Sequence, residues 1–212
     1  MSFDMGGTTA KMGLIKDGKP TVSDHFEIGR VHRFKKGSGL PVKIPTIELI
    51  EIGAGGGSIA WIDEMGLLQV GPQSAGSNPG PACYDKGGTE PTISDANLIL
   101  GYLTPEGLIG GKLPLNYENA LKSIEEKIAK PLGISVEKAA YGMFTIVNNN
   151  MVNGIRRVSV ERGYDPRDFV LVAAGGATGA HITALASEMG INTVIVSKLS
   201  SGLCAYGQII SD

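Results

Sequence analysis

The sequence predicts an α/β domain in which a mixed sheet opens on a strand hairpin and carries helices packed on it. Three observations lead there. Short apolar runs at 2–5 and 11–16 flank the turn GGTTA, and apolar residues recur at helical spacing over 135–160. The tail reads strand, glycine turn, helix and strand over 168–196. A chain of 212 residues with 42% hydrophobic content is long enough to bury one sizeable core.

Each element has its own signal. After SFDM and KMGLIK, Asp17-Gly18 favours a hairpin turn into a third extended piece at 21–28. Residues 2–28 are therefore expected to form an antiparallel hairpin set in the same sheet as the 168–196 unit. The stretch 30–45 is basic, carries GSG, Pro41 and Pro45, and predicts a mobile loop or a short edge excursion. ELIEIGAGGGSIAWID reads strand, glycine loop, strand. Residues 71–92 are dense in Gly and Pro, lack periodicity and outrun an ordinary connection, which marks a functional loop. The region from about 30 to 92 is thus read as a Gly/Pro-rich insertion within a single 1–212 unit. Ser94 or Asp95 as cap predicts a helix over 95–103, and Asn116 another over 117–130 that stops near Pro131-Leu132-Gly133. Val136, Ala139, Ala140, Met143, Ile146, Val147, Met151 and Ile155 predict a long buried helix after these.

Composition excludes several functions. Lys+Arg 19 against Asp+Glu 21 leaves a net charge of -2 and no basic block, so nucleic acid is not an expected partner. No apolar run approaches the ~20 residues that span a bilayer, and no basic-then-apolar leader opens the chain. No membrane partner is expected, and a cytoplasmic protein is. Cys83 and Cys204 share no metal or CxxC spacing and read as reduced thiols. Glycines gather in loops beside apolar runs, where a bare backbone can approach a ligand.

Two motifs carry chemistry. In DMGGTT at 4–9, Gly6 and Gly7 let backbone amides come close to a phosphate, and the hydroxyls of Thr8 and Thr9 add donors. Asp4 at a strand end can hold Mg²⁺ through water. No helix follows directly, which separates this loop from Walker and Rossmann loops; the same residues also suit a plain hairpin turn. In LVAAGGATGAH at 171–181, Gly175 and Gly176 permit adenine or ribose to lie on the backbone at a helix start. Many strand-to-helix turns carry such glycines without a ligand, so the pair of motifs is the signal. GAGGGS at 53–58 offers amides to an oxyanion or phosphate, and GPQSAGSNPGPACY at 71–84 presents Ser74, Asn78 and Cys83; a scaffold role stays open for both. Asp95 reads as a helix cap in preference to a metal ligand, and Cys83 as a structural cysteine. His181 is either a nucleotide contact or a packed histidine.

Taken in order, DMGGTTAK, EIGAGGGSIAWID, VGPQSAGSNPGPACY, GGTEPTISDANLILGYL, SVERGYDPRDFVLVAAGGA and VIVS resemble the hydantoinase A / 5-oxoprolinase family over nearly the whole chain. The resemblance implies an actin-like ATPase (ribonuclease H-like) fold with two lobes around one nucleotide, this chain being the second lobe. Asp4 stands too early to leave room for an N-terminal lobe with its own Asp-x-Gly-Gly-Thr loop, so an excised domain, inactive alone, is expected. The implied activity is ATP-dependent hydrolysis of a cyclic amide of hydantoin or 5-oxoproline type, with ATP and Mg²⁺ as cofactors, phosphorylation of the substrate oxygen and a hydantoinase B-type partner subunit. A subunit of an acetone- or acetophenone-type carboxylase shares these loops and stays open. So does a non-catalytic actin-like module, against which the 71–92 loop counts. The implied site comprises Asp4 as catalytic group and metal holder, Gly6, Gly7, Thr8, Thr9 and Lys11 toward phosphate, and Gly175, Gly176 and Ala177 toward the nucleoside. SVERGYDP at 159–166 brings in Glu161, and with it Arg156 just before the motif, as contacts to ribose or the lobe interface, or as a solvated charge cluster. Two positions depart from the family pattern: Lys11 stands where Asp is common, and Thr178-Gly179-Ala180-His181 where Gly-Pro-Leu-His is common.

Overall fold

Alternation in the first strand decides which way the sheet faces. Along β1 (Ser2–Met5), Phe3 and Met5 are fully buried while Ser2 and Asp4 are half-buried on the other face. The computed structural model describes residues 1–29, 31, 37–108 and 110–211. Further strands are β2 (Ala10–Gly13), β3 (Ile15–Lys16), β4 (Lys19–Pro20), β5 (Val22–Ile28), β6 (Leu40–Ile47), β7 (Ile50–Ile52), β8 (Ser58–Ile62) and β9 (Leu68–Ser74). Helices α1 (Ile93–Ile99), α2 (Tyr117–Ile124), α3 (Lys130–Leu132) and α4 (Val136–Val158) follow, then β10 (Leu171–Ala174), α5 (Ile182–Met189), β11 (Val194–Val196) and α6 (Leu203–Ile210).

The main sheet is mixed and runs β11-β10-β1-β2-β7, with β11, β10 and β1 parallel and β2 antiparallel to both β1 and β7. The N-terminal hairpin and the C-terminal strand-helix-strand unit therefore share one sheet, as expected of an actin-like lobe. The third extended piece does not join them. β5 leaves the sheet and pairs β6 in a separate ribbon, and β7 takes the edge beside β2. The ribbon's strands bury too little to belong to the core: Val22, Phe26, Ile28, Leu40, Ile44 and Ile47 are exposed. Of the mobile loop or short edge excursion expected over 30–45, residues 40–45 are strand in this ribbon, not loop; residues 30 and 32–36 lie outside the described residues. The described residues of the 30–92 region likewise form four strands, with β9 extending to Ser74.

α4 packs across β2, β7 and β9 and supplies Met143, Val147, Met151 and Ile155, all essentially inaccessible. Gly154 brings it close, since a Cβ there would fall 2.7 Å from Met12 Sδ. Ser135 caps α4 by accepting from the Lys138 amide, and Asn116 caps α2 through the Asn119 amide. The first helix begins two residues earlier than expected. Its cap is Thr92, with Asp95 closing a capping box from the third helical position.

Candidate nucleotide site

The two glycine loops meet at one end of the sheet. Asp4 pairs with Ala174 on one side and Lys11 on the other, and Lys11 pairs with Glu51, so a charged row crosses β1, β2 and β7. These residues alternate with Phe3 and Met12 and so project from the face opposite α4. Lys11 Nζ donates to Thr9 Oγ1 at 2.9 Å and lies 3.5 Å from Glu51 Oε1.

The phosphate-loop candidate is held by backbone. Gly6 N donates to Thr9 O at 3.1 Å, closing the turn; Gly56 N and Gly57 N donate to the carbonyls of Gly6 and Gly7 at 3.0 and 2.7 Å. With its carbonyls tied inward, the loop keeps the amides of Gly7 and Thr8 free of protein partners among the described residues. A Cβ at Gly7 would meet nothing within 4 Å. Two free amides, two threonine hydroxyls and an ammonium suit a phosphate.

The second loop docks on the first. Ala177 N donates to Met5 O at 3.0 Å, Met5 N donates to Thr178 Oγ1 at 2.8 Å, and Thr178 Oγ1 donates to Ala174 O. Gly175 has φ +85° and sits so close that a Cβ would lie 2.3 Å from Met5 O and 2.6 Å from Asp4 Oδ1. Its amide donates to Ser200 O at 2.8 Å. The amides of Gly175 and Ala177 are therefore committed, and Gly176, exposed with open space where a Cβ would be, is the position left for a flat ligand.

GAGGGS is a buttress. Gly55 N donates to Ser58 Oγ, and Gly56 and Gly57 donate to the phosphate loop, so none of these three amides is open to an oxyanion. From the 71–92 segment Ser74 reaches the phosphate loop, its Oγ lying 3.4 Å from Thr8 Oγ1. The buried Asp95 carboxylate accepts from Cys83 N at 2.7 Å, Thr92 N at 2.8 Å and Thr92 Oγ1 at 2.7 Å, which binds that segment to α1. Burial and the neighbouring Asp95 push the Cys83 thiol far up, so it is not a nucleophile. Asn78 is exposed. Among the described residues no group of three or more His, Cys, Asp or Glu could hold a metal ion. Asp4 alone suits Mg²⁺ held mainly by phosphate and water.

His181 is packed. It is fully buried, stacks on Phe144 at 4.9 Å, and its Nδ1 and Nε2 meet Asn148 Oδ1 at 2.8 Å and Asn97 Nδ2 at 3.0 Å. Asn97 can only donate there and Asn148 only accept, so the ring is neutral with its proton on Nδ1. Burial lowers its pKa from 6.5 to about 4. The folded state thus resists a proton that the unfolded chain takes up. Stability from this group is complete above pH ~6.5 and falls by about 1.4 kcal/mol per pH unit as pH drops toward about 4. Melting temperatures across that window should decline more steeply for the wild type than for His181→Gln; equal slopes would refute the assignment.

Arg156 pairs with Glu188 at 3.8 Å near the ends of α4 and α5, and Arg162 pairs with Glu48. Both pairs lie toward the end of the sheet away from the glycine loops, because β10 leads into Gly175 and α5 runs back from there to Glu188. Glu161 sits beside them in a short 3-10 turn. Of the alternatives for Arg156 and Glu161, this placement fits the solvated charge cluster and brings neither residue to the glycine loops. Two partners of the site come from far along the chain. Cys204, on α6, donates to Asp4 Oδ2 at 2.9 Å, and this bond together with partial burial raises its pKa, keeping the thiol protonated. Thr178, noted in the sequence only as a departure from the resembled pattern, ties the loops together. Glu51 could have been found from its phase with Ile50 and Ile52.

The profile of the hydantoinase/oxoprolinase family matches residues 1–212. The chain is 53% identical over 212 residues to caprolactamase subunit alpha of Pseudomonas jessenii, covering all of this chain and 29% of that subunit. The crystal structure of that ATP-dependent caprolactamase superposes with a TM-score of 0.84, over 100% of this chain and 29% of the other. The gamma subunit of acetophenone carboxylase from Aromatoleum aromaticum is 48% identical over 81% of this chain and 23% of its own length. A nucleotide-free acetone carboxylase structure, 30% identical, gives a TM-score of 0.87 over 100% of this chain and 29% of its own. The chain spans under a third of each of these relatives.

Proposed function

The chain belongs to the hydantoinase/oxoprolinase family, and from that premise we propose that the full-length protein is an ATP-dependent cyclic amide hydrolase of which these residues form the second nucleotide-binding lobe. The observation that carries the reading is the junction of the two loops, where Asp4 lies against Gly175 and Ala177 bonds Met5. One nucleotide laid across that junction reaches both.

The residues divide the work. The amides of Gly7 and Thr8, the hydroxyls of Thr8 and Thr9 and the Lys11 ammonium hold phosphate oxygens; Gly6 supplies the turn; Asp4 faces the metal side; Gly176 meets the nucleoside, while Gly175 and Ala177 fix the turn beneath it. Bound ATP with Mg²⁺ supplies a phosphoryl group that turns the poorly reactive amide carbonyl into an activated one. Lys11 and the loop amides stabilise the charge that develops on phosphate oxygens, chiefly by being in place beforehand. The rest of the chain length supplies the facing lobe, which excludes water on closure. A second subunit of hydantoinase B type completes the hydrolysis; the relative named subunit alpha supports a multi-chain assembly. A cytoplasmic location belongs to this reading; among the described residues no helix is long and apolar enough to cross a membrane.

The carboxylase reading has its own support in the 48% identity to an acetophenone carboxylase subunit. Phosphate release by the full-length protein with its partner chain separates the two. Stimulation by a lactam, a hydantoin or 5-oxoproline is the expected result. Stimulation by a ketone with bicarbonate, and by no cyclic amide, would make it a carboxylase.

A further inference from the structure

The last helix reaches back to the first strand. Cys204 Sγ donates to Asp4 Oδ2 at 2.9 Å, and among the described residues this is the one hydrogen bond the Asp4 carboxylate receives. Lys11, its cross-strand neighbour, is occupied with Thr9 and Glu51. On the other side, Gly175 stands where even a Cβ would come within 2.6 Å of Asp4 Oδ1. The carboxylate is therefore bracketed by glycine backbone at one oxygen and by a thiol at the other. The bracket is a single unit, because Gly175 N donates to Ser200 O just ahead of α6.

A carboxylate at a strand end turns about two side-chain bonds unless something holds it, and each wrong rotamer withdraws it from the metal side of the site. We infer that Cys204 is a positioning residue for Asp4: its thiol fixes the carboxylate in the orientation that receives the magnesium of bound MgATP. The inference rests on the reading of Asp4 given above. It assigns Cys204 no contact with nucleotide and no chemistry of its own. A serine would restore the donor; an alanine would not.

The test is ATP affinity by calorimetry on the full-length protein with its partner chain, with Mg²⁺ and again with EDTA, for wild type, Cys204→Ala, Cys204→Ser, Asp4→Asn and the Asp4→Asn/Cys204→Ala pair. Loss of one hydrogen bond to a charged group should weaken MgATP binding by about tenfold in Cys204→Ala. Metal-free ATP binding should stay within about twofold and Cys204→Ser within about threefold of wild type, because the donor alone has changed. In the Asp4→Asn background Cys204→Ala should add nothing, as expected when one residue acts through the other. Cys204→Ala with normal MgATP affinity, an equal loss with EDTA, or an undiminished effect in the Asp4→Asn background would each overturn the assignment. If Asp4→Asn itself binds MgATP like wild type, the reading of Asp4 fails. If Asp4→Asn is weak and Cys204→Ala normal, only the role of Cys204 fails.

Discussion

Substituting Asp4 by Asn is expected to lower substrate-stimulated ATP turnover of the full-length protein by 10² or more, on the order of the loss when one charge-stabilising group is removed. The substitution keeps shape and burial, removes the negative charge and turns one acceptor oxygen into an NH2 donor. Asp4 is half-buried on the polar face of β1, while Phe3 and Met5 hold the strand in the core, so the fold should not change. Its neighbours make the charge matter: Lys11 lies across the strand pair, and the free amides of Gly7 and Thr8 begin three residues further on. Substrate-stimulated phosphate release is the measurement, and a rate within about threefold of wild type would take Asp4 out of the site.

A single methyl group at Gly55 should do comparable damage without touching any reacting group. A Cβ there would lie 2.5 Å from Thr8 N and 2.6 Å from the Gly7 carbonyl carbon, distances that backbone cannot accommodate without moving. The displaced atoms belong to the two residues whose amides face the phosphate. A misplacement of about 1 Å can cost 10²-fold in rate, so Gly55→Ala is expected to lose roughly that factor. Gly207→Ala is the control, because a Cβ there meets nothing within 4 Å. Turnover and melting temperature of both variants decide the matter: near-normal turnover in Gly55→Ala would mean that the buttress does not set the loop.

What could be read from the sequence was the chemistry of short range. The hairpin of β1 and β2, the cap of α2 and the strand-turn-helix of the tail all rest on residues within a turn of each other. Pairings across long separation could not be read. Nothing in Val22–Ile28 says whether it continues the main sheet or folds onto Leu40–Ile47, since either choice satisfies its backbone. The glycines of GAGGGS show the same limit. Bare backbone suits close approach to a ligand or to another loop, and the outcome depends on where Gly6 and Gly7 come to lie. Cys204, two hundred residues from Asp4, carried no signal at all, because contact across the chain leaves none in local pattern. His181 was undecided for a related reason: its partners Asn97 and Asn148 come from two other helices.

The stitch between the loops has a consequence for how the site moves. Met5 N is bound by Thr178 and Ala177 N by Met5 O, so neither the end of β1 nor the turn after β10 can depart without breaking a bond of the other. The two halves of the site therefore form one cooperative opening unit. Their amides should exchange with solvent together, in a single event, and a ligand that quiets either one quiets both.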